Sequence, residues 1–258
     1  MKNFLETILV STRERVEEVK KTGAAFGASV APVPSFAAAL RKPGVSVIAE
    51  VKKASPSKGV IAGEFPYLEI AKEYEAAGAA ALSVLTEPSY FQGAPEYLIE
   101  IAREVSVPVL RKDFIIDKIQ IDEARAWGAS AVLLIMAALS QKELAELYAY
   151  AKGIGLDVLC EVHNERELEA VLEAGVDIVG INNRDLATFE VDVDTTRRMT
   201  EIIRQRYGQS VTVVGESGIV TAEDIRRLSD VDAVLVGETL MRSVDKAAKM
   251  RELRGESR

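Results

Sequence analysis

One stretch near the start of the chain places charged and hydroxyl side chains at the end of an apolar segment. Residues 45–52 are mainly β-branched and apolar and carry two charges, Glu50 and Lys52, near their end. This pattern predicts a buried strand. Because side chains alternate across a strand, both charges share the face that carries Ile48. Burying a carboxylate and an ammonium group there is costly unless they are paired or used. Residues 55–59 add hydroxyls, a cation and flexible backbone, which suits a loop that handles an anion. An internal salt bridge followed by an ordinary turn is the alternative.

The composition limits the possible partners. The chain carries 40 acidic and 32 basic side chains, a net charge of −8, which argues against a nucleic-acid partner. No apolar run approaches the roughly 20 residues of a membrane helix, and the first residues do not read as a secretory signal. The single cysteine, Cys160, excludes an internal disulfide and a thiolate metal cluster. We therefore expect a cytoplasmic protein, monomeric or weakly homo-oligomeric, without a membrane or nucleic-acid partner.

Eight apolar, β-branched runs alternate with segments of helical period. The runs cover residues 45–52, 80–85, 108–112, 131–135, 157–161, 178–182, 211–216 and 233–237, and the helical segments lie near 66–77, 95–105, 117–127, 141–153, 164–173, 194–207, 221–229 and 239–253. Strands buried on both faces read as continuous apolar runs, as parallel sheets require. Eight strand–helix units in about 210 residues predict an α/β fold, the (β/α)8 TIM barrel. An open doubly wound sheet is the competing fold, but no Gly-x-Gly-x-x-Gly motif follows the first strand.

Residues 1–44 lie outside the eight units and predict an N-terminal helical arm. We expect the arm to pack on the barrel of residues 45–258, the two together forming one structural domain. Ser35 can cap a short second helix over 36–40. The arm could cover the bottom of the barrel or fold over the top and help to close the site, and the sequence does not favour either position.

Polar side chains collect where the predicted strands end. In barrels of this kind the active site lies at the carboxyl ends of the strands. The residues at these ends are Glu50, Lys52, Lys112, Glu161, Asn182, Arg184, Glu216, Ser217, Gly237 and Glu238. Three carboxylates, two lysines and an amide facing one interior are too polar for packing alone and suit general acid–base chemistry. Metal binding is disfavoured, because this ring lacks histidine and its lysines would compete electrostatically. The one histidine, His163, is expected to cap a helix or face solvent, and Cys160 to face the helices.

The loops after the last two strands predict a phosphate site. Backbone N–H groups of Ser217, Gly218, Gly237 and Glu238 can donate to a phosphate, as is common after strands seven and eight of these barrels. The Glu238 carboxylate would repel a dianion, so only its backbone is expected to take part. The sequence thus predicts a small anionic phosphate compound as the partner.

Five segments in this order resemble the indole-3-glycerol-phosphate synthase family of tryptophan biosynthesis. They are residues 48–59, 110–115 (Leu-Arg-Lys-Asp-Phe-Ile), 159–162 (Leu-Cys-Glu-Val), 180–186 (Gly-Ile-Asn-Asn-Arg-Asp-Leu) and 215–219 (Gly-Glu-Ser-Gly-Ile). Many phosphate-binding barrels share the last segment, but the five together are specific. The resemblance implies a carboxy-lyase that closes the pyrrole ring of 1-(2-carboxyphenylamino)-1-deoxyribulose 5-phosphate with loss of carbon dioxide and water. The anilino nitrogen of that substrate activates its own aromatic ring, so no cofactor is implied.

The same resemblance assigns the proton-transfer roles. It implies that Lys112 is the general acid and Glu161 the general base. Glu50 is expected to assist proton handling and hold its neighbours, and Lys52 to attract the carboxylate and hydroxyl end of the substrate.

The remaining matched residues are expected to bind the substrate. Asn182 and Glu216 complete the catalytic set by binding sugar hydroxyls and polar intermediates. Arg184 is positioned for a carboxylate or phosphate, and Ser55 for the phosphate. The apolar wall around the aryl ring is expected from Phe91, Phe114, Leu133 and Leu186.

Three other functions fit part of the pattern. Another sugar-phosphate barrel, such as a phosphoribosylanthranilate isomerase, would share the phosphate cradle but does not explain a lysine at the ends of both the first and the third strand. A Schiff-base aldolase would use one of those lysines covalently. A phosphate-binding barrel without activity is disfavoured, because every expected acid and base is present.

Overall fold

Eight parallel strands close into a barrel in the computed structural model, which describes residues 4–22, 33–185, 188–228 and 230–256. Barrel strands one to eight are Ser46–Val51, Ala81–Leu85, Val109–Lys112, Ala131–Ile135, Asp157–Val162, Ile178–Asn182, Thr212–Glu216 and Ala233–Val236. Strand one pairs with strand two, with Ile48 opposite Ala81, and with strand eight, with Ser46 opposite Ala233. An open sheet would leave two edge strands with one neighbour each. The (β/α)8 prediction is therefore confirmed, and the doubly wound alternative is wrong.

The helices follow the predicted order with one correction. They are Phe4–Thr22, Phe36–Leu40, Tyr67–Ala76, Pro95–Glu104, Lys118–Ala126, Gln141–Gly153, Glu165–Glu173, Asp194–Tyr207, Ala222–Leu228, Glu238–Arg242 and Lys246–Leu253. The prediction of one helix over 239–253 is wrong, because Ser243 has extended backbone and Asp245 caps a new helix by accepting the Ala248 N–H at 2.7 Å. None of the helices in the described part of the chain has the length and apolar run that crossing a bilayer would take.

Two short elements were not predicted from the sequence. Ala54–Ser55 and Gly59–Val60 form a small antiparallel hairpin just after strand one, and Met136–Ala138 form a single 3-10 turn after strand four. Both lie at the carboxyl end of the barrel, where connecting segments carry function.

Apolar side chains form two cores, one inside the barrel and one between the barrel and its helices. Alternation along the strands sorts them: Ile48, Leu110 and Leu159 lie in the inner core, whereas Val158 and Cys160 lie in the outer core. Cys160 is fully buried there, as predicted, and burial raises the pKa of its thiol. The same alternation aims the last inward side chain of each strand at the carboxyl end of the barrel.

The N-terminal segment covers both ends of the barrel. The first helix lies at the carboxyl end, where Leu5 and Ile8 pack with Phe114 in the inner core. The second helix lies at the opposite end, where the Ala37 N–H donates to Asp157, the first residue of strand five, at 2.9 Å. Each of the two positions considered for the arm is therefore correct for one helix.

A buried ion-pair network joins the first helix to the end of strand three. Asp113 accepts hydrogen bonds from Arg111 at 3.2 Å, from Arg15 of the first helix at 3.0 Å and from the Thr86 hydroxyl at 2.8 Å. Arg111 also pairs with Glu123 at 2.9 Å. Burial would raise the pKa of the Asp113 carboxyl group, but the two guanidinium groups hold it at about 2. The carboxylate is therefore ionised throughout the usual pH range.

Asp113→Asn is expected to lower the free energy of unfolding by about 3–5 kcal/mol, because it breaks two ion pairs of a buried network and leaves Glu123 as the one remaining carboxylate partner of the buried Arg111 guanidinium group among the described residues. A carboxyl group with a lowered pKa stabilises the folded state at pH values above its ordinary pKa. This stabilisation is lost only as the pH falls through about 2. The loss should therefore be equal at pH 5 and pH 8 in urea denaturation. Glu17→Gln, on the same helix as Arg15 and 63% exposed, is the control and should change stability by less than about 0.5 kcal/mol. A loss below about 1 kcal/mol for Asp113→Asn would contradict the assignment.

Candidate active site

A cavity of about 630 Å³ opens at the carboxyl ends of the barrel strands. The predicted site residues in the described part of the chain all line it: Glu50, Lys52, Ser55, Phe91, Lys112, Phe114, Leu133, Glu161, Asn182, Arg184, Glu216, Ser217, Gly218, Gly237 and Glu238. Leu186 lies outside the described residues, so its place in the wall stays a prediction. The volume is typical of a site for a small organic molecule.

Lys112 lies between two buried carboxylates. Its Nζ is 2.8 Å from Oε2 of Glu216 and 3.3 Å from Oε2 of Glu161. The three side chains come from the ends of strands three, seven and five, and each has the inward parity of its strand. One ammonium group is therefore shared by two acids that the chain brings from distant positions.

The shared ammonium group separates the acidities of the two carboxyl groups. Burial would raise the pKa of Glu161, but Lys112 and His163 lower it well below its usual range. Burial raises the pKa of Glu216 to about 7, and Lys112 only partly opposes this because the charges of Glu161 and Glu50 add to the rise. Burial would lower the pKa of Lys112, yet the surrounding carboxylates raise it above its ordinary value. The site thus holds an ionised carboxylate on Glu161, a carboxyl group on Glu216 that titrates near neutrality, and a protonated amine on Lys112. Groups with such separated pKa values are typical of acid–base catalysis.

Glu216→Gln is expected to stabilise the protein more at pH 8 than at pH 5. Below the ordinary pKa of 4.5 the carboxyl group is protonated in both states, but between 4.5 and about 7 only the unfolded chain ionises, so rising pH favours unfolding. Glutamine removes this titration. The difference in unfolding free energy between variant and wild type should grow by about 2–3 kcal/mol from pH 5 to pH 8. Urea denaturation at both pH values measures it, with the exposed Glu146→Gln as control. A pH-independent difference would contradict the raised pKa.

Glycines give the charged side chains room. Glu50 and Lys52 form an ion pair at the junction of strands one and eight. A Cβ on Gly237 would collide with the Glu50 carboxylate and lie 2.9 Å from the Lys52 Nζ, and a Cβ on Gly180 would collide with Glu216. The internal salt bridge considered for this stretch therefore exists, but both of its members also line the cavity.

Asn182 connects the carboxylate of strand five to the loop after strand six. Its Nδ2 donates to Oε1 of Glu161 at 3.2 Å, and its Oδ1 accepts the backbone N–H of Arg184 at 3.0 Å. The Arg184 guanidinium group donates to the carbonyl of Phe189 at 3.1 Å. The amide thus orients Glu161, while Arg184 is tied to its own loop at the cavity wall.

The loop after strand seven has the backbone of an anion-binding turn. Ser217 and Gly218 have φ values of 65° and 79°, in the left-handed region, and the Asn183 side chain donates to the Ser217 carbonyl at 3.0 Å. Consecutive N–H groups of such turns converge on a concave space that suits anions. This loop lies in the cavity next to Gly237, at the start of the helix after strand eight.

Cations surround the same end of the cavity. Glu238 pairs with Arg242 at 3.0 Å and with Lys58 of the hairpin after strand one at 3.8 Å. Its carboxylate therefore has cationic partners of its own. Ser55 lies on the same hairpin, and all four residues line the cavity.

An apolar wall forms another side of the cavity. The rings of Phe91 and Phe114 are 6.2 Å apart between centroids, and Leu133 also lines this cavity. The buried Glu87 carboxylate accepts the backbone N–H groups of the segment that carries Phe91, including that of Tyr90 at 2.7 Å. The first helix adds wall residues that were not predicted from the sequence: Phe4, Leu5 and Ile8.

Comparison with known proteins assigns the chain to a family. The family model for indole-3-glycerol phosphate synthase matches residues 5–253. This chain belongs to the indole-3-glycerol phosphate synthase family. Proteins of that name include one from Ruminiclostridium cellulolyticum, 47% identical over 262 residues and covering 98% of this chain and 99% of that protein. Another, from Endomicrobium trichonymphae, is 48% identical over 260 residues and covers 97% of this chain and 99% of that protein.

Solved structures of other proteins share the barrel. KGPDC from Streptococcus mutans has a TM-score of 0.61 at 11% identity, covering 82% of this chain and 96% of that one. Thiamine phosphate pyrophosphorylase from Pyrococcus furiosus has a TM-score of 0.59 at 19% identity, covering 84% and 96%. At these identities the likeness shows the fold alone.

The prediction that His163 caps a helix or faces solvent is wrong. Its side chain is only 11% exposed, and its Nε2 lies 3.2 Å from Oε1 of Glu161. Strand five extends to Val162, so His163 follows it directly and keeps the side of the strand on which Glu161 lies. The i, i+2 spacing of Glu161 and His163 was the signal that could have predicted this position.

The acids of the site do not combine into a metal centre. Within the residues that the structure describes, no group of three or more His, Cys, Asp or Glu side chains could hold a metal ion. The cationic partners of Glu50, Glu161 and Glu216 are instead lysine and histidine side chains.

Proposed function

We propose that the cavity binds 1-(2-carboxyphenylamino)-1-deoxyribulose 5-phosphate and converts it to indole-3-glycerol phosphate with loss of carbon dioxide and water. Membership of the indole-3-glycerol phosphate synthase family supports this reaction. The observation that carries it is Lys112, held between Glu161 and Glu216 in a cavity with an apolar wall and a separate anion-binding turn. In this proposal the protein is a carbon–carbon lyase of tryptophan biosynthesis.

The two chemically different regions of the cavity orient the substrate. The aryl ring packs against Phe91, Phe114 and the first helix, where apolar surface is removed from water. The phosphate accepts hydrogen bonds from the backbone of Ser217 and Gly218, together with Gly237 and Glu238, and from the Ser55 hydroxyl. The ketose part then lies between these regions, beside Lys112.

Ring closure begins with proton donation from Lys112. The ammonium group donates to the ketose oxygen while the aryl carbon that bears the carboxylate attacks the carbonyl carbon. The new carbon–carbon bond takes its electron pair from the nitrogen-activated ring, and departure of carbon dioxide returns a pair to the ring. Lys112 suits this step because its proton is held among carboxylates rather than lost to solvent.

Dehydration completes the pyrrole ring. Glu161, ionised in the resting site, removes a proton from the carbon next to the anilino nitrogen. The hydroxyl on the neighbouring carbon takes up a proton from an ammonium group of the site and leaves as water. Asn182 keeps Glu161 in place through its 3.2 Å hydrogen bond.

The other charged side chains hold the polar parts of the substrate. In the proposal Lys52, paired with Glu50, attracts the substrate carboxylate and hydroxyl end, and Arg184 contributes a second positive charge. Glu216, which also pairs with Lys112, binds sugar hydroxyls. We also propose a cytoplasmic, monomeric or weakly homo-oligomeric protein in which the arm of residues 1–44 and the barrel of 45–258 form one domain.

A direct assay tests the function. The purified protein is mixed with the carboxyphenylamino ribulose phosphate, and formation of the indole ring is followed by its fluorescence. Appearance of indole-3-glycerol phosphate and carbon dioxide in equal amounts is expected. A folded protein that yields no indole product would refute the proposal. Inactivation by borohydride in the presence of substrate would favour the Schiff-base aldolase instead.

A further inference from the structure

His163 lies between two carboxylates beside the proposed base. Its Nε2 is 3.2 Å from Oε1 of Glu161, and its Nδ1 is 3.2 Å from Oε2 of Glu167, on the helix that follows strand five. The His163 backbone N–H donates to the same Glu167 oxygen at 2.8 Å, and the Asn164 side chain donates to the other at 2.7 Å. Three contacts therefore fix Glu167 against the imidazole ring.

The surroundings of the ring favour its cationic form. Within the described residues the Nε2 atom makes no hydrogen bond, so its contact with Glu161 is an ion pair, and only the imidazolium form carries the positive charge that attracts both carboxylates. The loop after strand six lines a second cavity together with His163, and its charged residues there are Arg184, Asp185, Glu190 and Asp192. Burial would lower the pKa of His163, but Glu161 and Glu167 raise it to about 10.

We propose that His163, as an imidazolium ion, is a positioning residue that keeps Glu161 ionised and correctly aimed while Lys112 gives up its proton. The inference rests on the proposed function, because it needs Lys112 as the acid and Glu161 as the base. In the resting site two cations face Glu161: Lys112 from the cavity side and His163 from the opposite oxygen. When Lys112 donates its proton to the substrate, only the charge of His163 remains.

Charge distinguishes the contribution of His163 from that of Asn182. Both contact Oε1 of Glu161 at 3.2 Å, but the amide is neutral. A carboxylate that faced a neutral lysine and a neutral amide would take up a proton more readily, and a protonated Glu161 cannot act as a base. His163 therefore allows the acid and the base to work in succession within one buried site.

The single histidine of the chain makes the proposal directly observable. In tag-free protein labelled with 15N, every imidazole signal comes from His163. At pH 7.5 both ring nitrogens are expected to show the protonated, imidazolium pattern. Glu167→Gln should lower the pH at which this pattern is lost by at least about one unit, because it removes one of the two carboxylates. Glu165→Gln, an exposed change in the first turn of the same helix, is the matched control and should leave the pattern in place. A neutral ring at pH 7.5 would overturn the proposal even if no variant folded.

Kinetics separate the charge from the packing of the ring. His163→Asn keeps a side-chain donor near Glu161 but removes the positive charge. The ratio of kcat at pH 8 to kcat at pH 6 should rise at least about fivefold over that of the wild type, because Glu161 now protonates at higher pH, while KM stays within about twofold. A kcat that falls equally at both pH values would show a structural role only and contradict the proposal. Wild-type protein that forms no indole product would instead refute the proposed function, so the two failures are distinguishable.

Discussion

Replacement of Lys112 by methionine is expected to lower kcat by about a hundredfold or more, since general acid catalysis contributes at least this much. Methionine keeps the length and apolar stem of lysine but cannot donate a proton to the ketose oxygen. It also leaves Glu161 and Glu216 without the ammonium group that lies 3.3 Å and 2.8 Å from them. Steady-state kinetics with the indole fluorescence readout measures the loss.

The control for this variant is Lys142→Met. Lys142 is 85% exposed on the sixth helix, where its loss touches no part of the cavity, and kcat should not change. The two variants should have comparable circular dichroism spectra. More than about one tenth of wild-type kcat in a folded Lys112→Met protein would exclude Lys112 as the essential acid.

Glu161→Gln is expected to lower kcat by about a hundredfold or more with little change in KM. Glutamine has the shape of glutamate, and its oxygen can still face Lys112 or the Asn182 amide, so substrate binding should survive. Only the ability to take a proton is lost. In single-turnover experiments carbon dioxide release should then run ahead of indole formation, because the proposed role of Glu161 follows ring closure.

Glu143→Gln is unsuitable as a control for this change, because Glu143 caps a helix through Ser140. Glu146→Gln, on the same helix and 55% exposed, is the better choice. Simultaneous loss of carbon dioxide release and indole formation in Glu161→Gln would place this residue in an earlier step and contradict the assignment.

Alternation along predicted strands was enough to find the carboxylates and the lysine that meet in the cavity. Once the carboxyl end of each strand was located, the inward parity of Lys112, Glu161 and Glu216 followed from a period of two. The distances between them could not be predicted. They depend on how the barrel closes and on which rotamers its glycines permit, as at Gly180 beside Glu216.

Two features of the site were not predicted correctly from the sequence: the position of the first helix and the position of His163. The apolar stripe of the first helix shows that one face is buried, but not which end of the barrel buries it, so the wall formed by Phe4 and Ile8 needed the structure. His163 was within reach of the same parity rule that paired Glu50 with Lys52. Because strand five was predicted to end at 161 instead of Val162, His163 was placed beyond the strand and expected to cap a helix or face solvent.

The closure of the barrel between its first and last strands has a consequence for folding. Ser46 pairs with Ala233, near opposite ends of the sequence, and Gly237 packs directly against Glu50 and Lys52. Contacts between distant parts of a chain form late, because the loop-closure entropy must be overcome first. A nascent chain that lacks strand eight would leave the Glu50–Lys52 pair in water and the phosphate loop incomplete. Recovery of activity during refolding should therefore report the pairing of strands one and eight, and it should lag behind the recovery of helix content.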